Sequence, residues 1–226
     1  MTKSKITQVM MDDSTLNVNK EVDMVFSIAN TLRGPYKADK YKAIIIPMII
    51  IRRLECALAT KDASGKTRKQ RVTDAFKKNP KTPQQVLERL AGYPFYNTSD
   101  YDLAGLLDEA PAIVENFHFY LESFSPNIKD MLITRLKFKE KITDLDKNNR
   151  LLGVVKKFSE LDLNPETIDG HKMGYMFEEI IRRFSENAEA GDHYTPREVI
   201  RTLSNILLAE GCDDVFSEGK EITVLD

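Results

Sequence analysis

The longest apolar run of this chain, Ala43 to Ile51, is interrupted only by Pro47 and has to be buried. Three consecutive isoleucines favour a β-strand, because β-branched side chains pack well on a pleated surface. The flanks favour a helix, since Asp39-Lys-Tyr-Lys precedes the run and the good helix formers of Arg52 to Ala59 follow it. We therefore predict one long helix, about Ala38 to Ala59, buried nearly all round and kinked at Pro47. The run is far shorter than the roughly 20 residues that a membrane-spanning helix needs.

The rest of the front half also follows a helical pattern. Asn19 to Leu32 places its apolar side chains on one face, and Gly34-Pro35 ends it. No alternation of apolar and polar residues with hairpin turns precedes residue 220. We therefore expect residues 15–160 to form a helical domain without a sheet. Its further helices are predicted at Thr82 to Leu90, at Tyr101 to Leu107, from Pro111 onward with Ile113, Val114, Phe117 and Leu121, at Asn127 to Leu136, and at Leu151 to Leu161.

Composition argues against a secreted, disulfide-linked or metal-binding protein. With 226 residues, 42% hydrophobic and 30% charged, the chain can bury one good core or two modest ones. Cys56 and Cys212 give neither a disulfide framework nor metal-ligand spacing, which suits a reducing cytoplasm. The start of the chain, Met1-Thr-Lys-Ser-Lys, lacks the apolar core of a signal peptide. We expect a cytoplasmic protein with no metal site.

We expect a domain boundary between Leu161 and Gly170, where Asp162-Leu-Asn-Pro-Glu is typical of a turn between helices. The next helix is predicted from His171 to Asn187. Its apolar side chains follow strict helical spacing, which most simply indicates a core face. They are Met173, Met176, Phe177, Ile180, Ile181 and Phe184.

A strong helix-start signal lies at Thr195-Pro-Arg-Glu198. The Thr195 hydroxyl can cap a helix, Pro196 suits the first helical position, and Glu198 completes a capping box. The loop Gly191-Asp-His-Tyr leads into this helix N-terminus, where free N–H groups suit a carboxylate or phosphate. From local chemistry alone, a capped helix with no ligand is the simpler interpretation. The apolar face of this helix is formed by Val199, Ile200, Leu203, Ile206 and Leu207.

Glu221-Ile-Thr-Val-Leu-Asp226 is typical of a short buried strand that ends in a carboxylate. Such a strand normally leads into a loop over the carboxyl edge of a sheet, where α/β proteins bind ligands. Because one strand cannot form a sheet, we expect the chain to be the front part of a longer protein.

Several stretches resemble one known family. Gly191-Asp-His-Tyr-Thr-Pro, preceded by Gly174-Tyr-Met-Phe-Glu-Glu-Ile-Ile, resembles the modification (methyltransferase) subunit of type I restriction–modification systems. Ile28-Ala-Asn-Thr-Leu-Arg-Gly34, Tyr41-Lys and Ile50-Ile-Arg-Arg-Leu-Glu55 are similar to the helical domain that opens these subunits. The resemblance therefore runs from about Asp23 to Asp226.

The resemblance implies a mainly α fold. A helical-bundle domain would occupy residues 1–163, and residues 164–226 would form the first helices and first strand of a truncated α/β methyltransferase domain. The activity implied is methyl transfer from S-adenosylmethionine to adenine N6 in double-stranded DNA. The partners implied are a specificity subunit, a second modification subunit and a restriction subunit.

The resemblance implies a partial cofactor site, and it also identifies a catalytic motif of the family that this chain lacks. Asn79-Pro80 is followed by Lys81, and Asn164-Pro165 by Glu166, so the family's Asn-Pro-Pro-(Tyr/Phe) catalytic motif is absent. We expect no catalytic residue in this chain and no methylation by it alone. Asp226 would begin the family's Asp-Pro-x-x-Gly-type cofactor loop. The cofactor-binding residues implied are Asp192, His193, Tyr194, Thr195, Pro196, Arg197 and Asp226.

A basic stretch, Lys61 to Lys81, contains eight Lys or Arg residues against Asp62 and Asp74. Charge runs are usually solvated loops, but lysine and arginine also neutralise DNA phosphates. We predict that the stretch lies on the surface, has too few apolar residues to join a core, and touches DNA through Lys66, Arg68, Lys69 and Arg71. A weaker basic cluster comprises Lys129, Arg135, Lys137, Lys139 and Lys141.

Two functions remain open on the residues alone. One is the front part of an adenine-N6 DNA methyltransferase subunit, contributing DNA clamping, subunit contacts and part of a cofactor site. The other is a non-catalytic, all-helical module that binds DNA or a protein. They differ at residues 191–226, which must form a cofactor-facing loop and a strand in the first case only.

Overall fold

The computed structural model describes residues 19–61, 65–185, 195 and 197–207. The chain divides into two compact units, Val18–Glu186 and a second made of Met1–Asn17 with Asn187–Asp226. The described residues are mainly helical and contain no sheet, only isolated bridges such as Asn97 with Phe124. The mainly α fold and the sheet-free helical domain are thus confirmed over the described residues, whereas the strand predicted at 221–226 lies outside them.

In the first unit the helices are α1 (Asn19–Leu32), α2 (Ala38–Ala59), α3 (Arg68–Lys78), α4 (Gln84–Ala91), α5 (Gly105–Asp108), α6 (Ile113–Glu122), α7 (Pro126–Lys129), α8 (Phe138–Lys147), α9 (Leu151–Ser159) and α10 (Gly170–Ser185). A 3₁₀ turn, Ala110–Ala112, precedes α6, and a π-helical turn, Asp130–Arg135, follows α7. In the second unit the described helix is α11 (Arg197–Leu207). None of the described helices is both long and apolar enough to cross a membrane.

Helix α2 is the centre of the first unit. It contacts α1, α3, α8, α9 and α10, and Pro47 lies buried inside it. Ile45, Met48 and Ile49 are completely buried, so the apolar run from Ala43 to Ile51 supplies core side chains as predicted. Because isoleucine side chains point in all directions around this helix, neighbours have to cover it on several sides.

Two arginines anchor the end of α2 to a distant part of the chain. Arg52 Nε donates a hydrogen bond to the Leu161 carbonyl oxygen over 2.6 Å, and Arg53 Nη1 donates to the Leu163 carbonyl oxygen over 2.8 Å. Leu161 and Leu163 are themselves buried. Helix α10 then packs on α1 and α2, with Met176 and Ile180 completely buried, which confirms its predicted core face.

The predicted helix from Tyr101 to Leu107 is wrong in its first half, because α5 begins only at Gly105. Tertiary contacts fix this segment as a loop: the Tyr101 carbonyl, which would accept a hydrogen bond within a helix, accepts one from the Lys69 ammonium, and Leu103 N donates to a Glu55 carboxylate oxygen over 2.7 Å. The predicted helix Asn127 to Leu136 is confirmed in outline, but it widens into a π turn in which Leu136 N donates to the Met131 carbonyl over 3.0 Å. Helix α8 was not predicted.

Candidate functional site

The basic stretch contains a helix. Helix α3 begins with a capping box: Gln70 N donates to Thr67 Oγ1 over 3.0 Å, and Thr67 N donates to Gln70 Oε1 over 2.8 Å. Val72 is completely buried, so the expectation that the stretch has too few apolar residues to join a core is wrong. With α4, this helix forms a second small core of Leu58, Val72, Leu87, Ala91 and Tyr96.

The four predicted DNA contacts do not share one exposed face. Lys66 is exposed and pairs with Asp74 over 2.7 Å. Arg68 is half-buried, because its guanidinium lies 5.1 Å from the Tyr93 ring centroid and donates to the Ala91 carbonyl over 3.1 Å. Arg71 is also half-buried.

Lys69 points into the protein, which corrects its predicted surface position. Its ammonium donates to the Tyr101 carbonyl and lies 5.4 Å from the Tyr120 ring centroid. Loss of hydration lowers the pKa of Lys69, and the nearby Asp102 partly opposes that change. The basic residues that do face solvent include Lys61, Lys66, Lys77, Lys78 and Lys81.

A polar cleft of about 330 Å³ lies beside Lys69, between α2, α3 and the loop before α5. Carboxylates, an ammonium and hydroxyl groups line it, among them Glu55, Thr67, Lys69, Thr73, Asp100 and Asp102. Lys77 pairs with Asp100 over 2.7 Å at the surface. Such a cleft could accommodate a small polar group.

Glu55 is the most deeply buried charge of the cleft. Its Oε2 accepts from Arg52 Nη1 over 2.9 Å, and its Oε1 accepts from Leu103 N over 2.7 Å. Burial raises the pKa of Glu55, while Arg52 opposes the rise. Because Glu55 and Lys69 both have partners inside the protein, we interpret the network as the support that holds α3 and the Tyr101–Asp102 loop on α2.

The two Asn-Pro pairs and the candidate metal ligands can be examined within the described residues. Both Asn-Pro pairs form turns there: Asn79 Oδ1 accepts from Lys81 N over 3.0 Å, and Asn164 Oδ1 accepts from Glu166 N over 2.9 Å. These amides are used by their own backbone, as in Asx turns. Among the described residues, no group of three His, Cys, Asp or Glu side chains is arranged to hold a metal ion.

Comparison with protein families bears on the choice between a methyltransferase subunit and a non-catalytic helical module. Residues 22–158 match the HsdM N-terminal domain, and residues 168–221 match the N-6 DNA Methylase family. The chain belongs to the HsdM family. It therefore corresponds to the N-terminal portion of the modification subunit of a type I restriction–modification system, as the resemblance implied. Neither curated proteins nor solved structures gave a match.

The HsdM N-terminal domain match covers α1 to α9 almost completely, and the N-6 DNA Methylase match includes α10 and α11. Of the predicted cofactor residues, Asp192, His193, Tyr194, Pro196 and Asp226 lie outside the described residues. Thr195 is exposed, and Arg197 is the first residue of α11. The predicted apolar face of α11 is exposed to solvent, with Leu203 60% and Ile206 69% exposed.

The sequence analysis did not predict the buried ion pair Arg52–Glu55, nor that the Lys69 side chain points into the protein. The pair had a signal, since two opposite charges three residues apart adjoin an apolar helical run. Lys69 had none, because its orientation depends on Tyr101 and Tyr120, which are distant in sequence.

Proposed function

We propose that the parent protein is the modification subunit of a site-specific DNA methyltransferase that moves a methyl group from S-adenosylmethionine to adenine N6. The observation that carries the proposal is the order of the two family matches, 22–158 and then 168–221, on one chain. The described chain contributes DNA clamping, subunit contacts and part of the cofactor site. The specificity subunit, a second modification subunit and the restriction subunit are the proposed partners, and 163/164 is the proposed domain boundary.

The direct test uses the full-length parent with its specificity subunit and a duplex that contains the recognition site. Transfer of the S-adenosylmethionine methyl group to adenine, with N6-methyladenine identified by mass spectrometry, is the expected result. A product methylated on cytosine would contradict the proposal.

The proposed cofactor contact is the loop of residues 192–197 at the start of α11. Thr195 is exposed two residues before this helix begins, and a helix N-terminus favours a carboxylate such as the methionine end of the cofactor. Tyr194 would pack against the ligand, and Asp226 would begin the loop that completes the site. The side chain of Thr195 would then matter for binding and not only for the helix.

In the full-length parent, Thr195→Ala and Tyr194→Ala should each weaken S-adenosylmethionine binding by about tenfold, the loss of one good contact of roughly 1.4 kcal/mol. Isothermal titration calorimetry measures this change, with Thr202→Ala, an exposed threonine within α11, as the control. Unchanged affinity in both variants would refute the residue assignment. The 226-residue chain alone should bind the cofactor very weakly, so micromolar binding by it would refute the half-built site.

The proposed DNA contacts are the solvent-facing basic residues of the Lys61–Lys81 stretch. Lys66 precedes α3, Lys78 is its last residue and Lys81 follows it, and all three side chains are exposed. Such contacts bind phosphates of any sequence and release counterions. The contribution of Arg68 and Lys69 is better tested separately, because both also hold protein contacts.

We expect the double variant Lys78→Ala/Lys81→Ala, in the full complex, to weaken binding to all DNA sequences alike. The slope of log K against log salt should fall in magnitude by about 2, roughly 0.9 for each lost phosphate contact. Fluorescence anisotropy across a salt series measures the slope. The control is Lys147→Ala/Lys156→Ala, which removes two exposed lysines from the last turns of α8 and α9. Equal slopes for the two variants would show that the basic stretch is only a solvated surface.

A further inference from the structure

The segment that follows the basic stretch has the opposite charge. Residues 90–128 contain six carboxylates and no lysine or arginine. This acidic segment forms the Tyr101–Asp102 loop, α5 and α6. Because DNA phosphates are repelled by carboxylates, the acidic segment is unsuited to the DNA contact proposed for α3.

A large aromatic side chain lies exposed within this acidic segment. Phe119 is 56% exposed, whereas Phe117 and Tyr120 on the same helix are buried. The Tyr101 ring meets Phe119 edge-on, with 6.3 Å between the ring centroids. An exposed phenylalanine that already has one fixed aromatic neighbour presents a preformed apolar surface to a partner.

Carboxylates surround Phe119 in an ordered way. Glu115, Phe119 and Glu122 have the i, i+4, i+7 spacing that places side chains along one side of α6. Beside them, Glu109 Oε2 accepts from the Tyr101 hydroxyl over 3.0 Å and from Asn116 Nδ2 over 2.7 Å. Glu122 is paired with Lys139. Glu115 is exposed and forms no ion pair with any described residue.

We propose that this aromatic–acidic patch (Tyr101, Glu109, Glu115, Phe119 and Glu122) docks a basic segment of a protein partner. An arginine or lysine of the partner lies over the exposed face of Phe119 and pairs with Glu115. The aromatic face attracts a cation, and the carboxylate supplies the opposite charge. The negative charge of the patch repels DNA phosphates. This docking surface is therefore separate from the proposed DNA contacts, and the proposal does not depend on the methyltransferase function.

The test uses the 226-residue chain and a fluorescent amphipathic peptide of twelve residues with alternating arginine and leucine pairs. A matched peptide with citrulline for every arginine has nearly the same shape and no charge. Fluorescence anisotropy at physiological salt should show binding of the arginine peptide and at least about fivefold weaker binding of the citrulline peptide.

The variants locate the binding on the patch. Phe119→Ala should weaken arginine-peptide binding about threefold or more, and Phe119→Ala/Glu115→Gln about tenfold, as expected for a cation–π contact with an added ion pair. The matched controls are Leu152→Ala, an apolar side chain 46% exposed on α9, and Glu160→Gln, an exposed carboxylate after α9; neither should change the affinity. Equal effects of Phe119→Ala and Leu152→Ala would overturn the proposal. So would a loss of duplex DNA binding in Phe119→Ala, because the patch would then belong to the DNA surface.

Discussion

Replacing Arg52 by alanine should lower the free energy of unfolding by roughly 3–5 kcal/mol, because it leaves a buried carboxylate without its cation. Only 6% of the Glu55 side chain is exposed, and Arg52 is the cation that pairs with it. The same substitution removes the hydrogen bond from Arg52 to the Leu161 carbonyl. Urea unfolding followed by circular dichroism measures the change.

The matched control is Arg182→Ala, which breaks another pair with i, i+3 spacing, Arg182–Glu179. The Arg182 side chain is 59% exposed, so its loss should lower the free energy of unfolding by less than about 1 kcal/mol. Similar losses in the two variants would show that burial of the Arg52–Glu55 pair does not matter. In a Glu55→Gln background, Arg52→Ala should be much less destabilising, since no buried charge is left unpaired.

The Arg52→Ala effect should also depend on pH. Burial raises the pKa of Glu55 above its ordinary value of 4.5, and Arg52 limits the rise. A carboxyl group whose pKa is raised on folding favours the folded state most below its ordinary pKa, and this contribution is lost as the pH rises through the folded pKa. Without Arg52 the folded pKa lies higher, so the deficit of the variant should be smallest at low pH and grow towards neutrality. A deficit that does not change with pH would assign the effect to the Leu161 hydrogen bond alone.

Phe117→Ala should lower the free energy of unfolding by about 3–5 kcal/mol, the usual result of removing a large aromatic side chain from a core. Phe117 is completely buried and meets the ring of Phe138 edge-on at a centroid distance of 6.2 Å. This contact joins α6 to α8 across the core. Thermal and urea unfolding measure the loss.

Phe119→Ala is the control for this core substitution, because it removes the same side chain two residues along the same helix. With Phe119 56% exposed, the change should alter the free energy of unfolding by less than about 1 kcal/mol. If the two alanine variants were equally destabilised, the assignment of the buried and exposed faces of α6 would be wrong.

The long elements of this fold were predictable because their signals are local. The predicted bounds of α1 and α2 agree with the structure at both ends. Gly34, which was expected to end a helix, has a positive φ, as residues after a helix often do. Apolar spacing alone also identified the core face of α10.

The elements that were missed depend on contacts between distant residues or on signals hidden by charge. The Tyr101–Asp102 loop is held open by Glu55 and Lys69, which no local pattern of residues 101–107 reveals. Helix α3 carried a capping box at Thr67 and Gln70, but its basic composition suggested a loop. For the candidate site, the family resemblance was confirmed, whereas the DNA and cofactor residues stay predictions.

The arginine anchors of α2 determine where this polypeptide can be divided. The HsdM N-terminal domain match ends at residue 158, yet the carbonyl groups that Arg52 and Arg53 need belong to residues 161 and 163. A polypeptide cut at the end of that match would leave both guanidinium groups without these acceptors and would uncover the apolar surface that Leu161, Leu163 and α10 now bury. The compact helical unit, Val18–Glu186, therefore extends beyond the end of that match and includes α10, which lies within the methylase match.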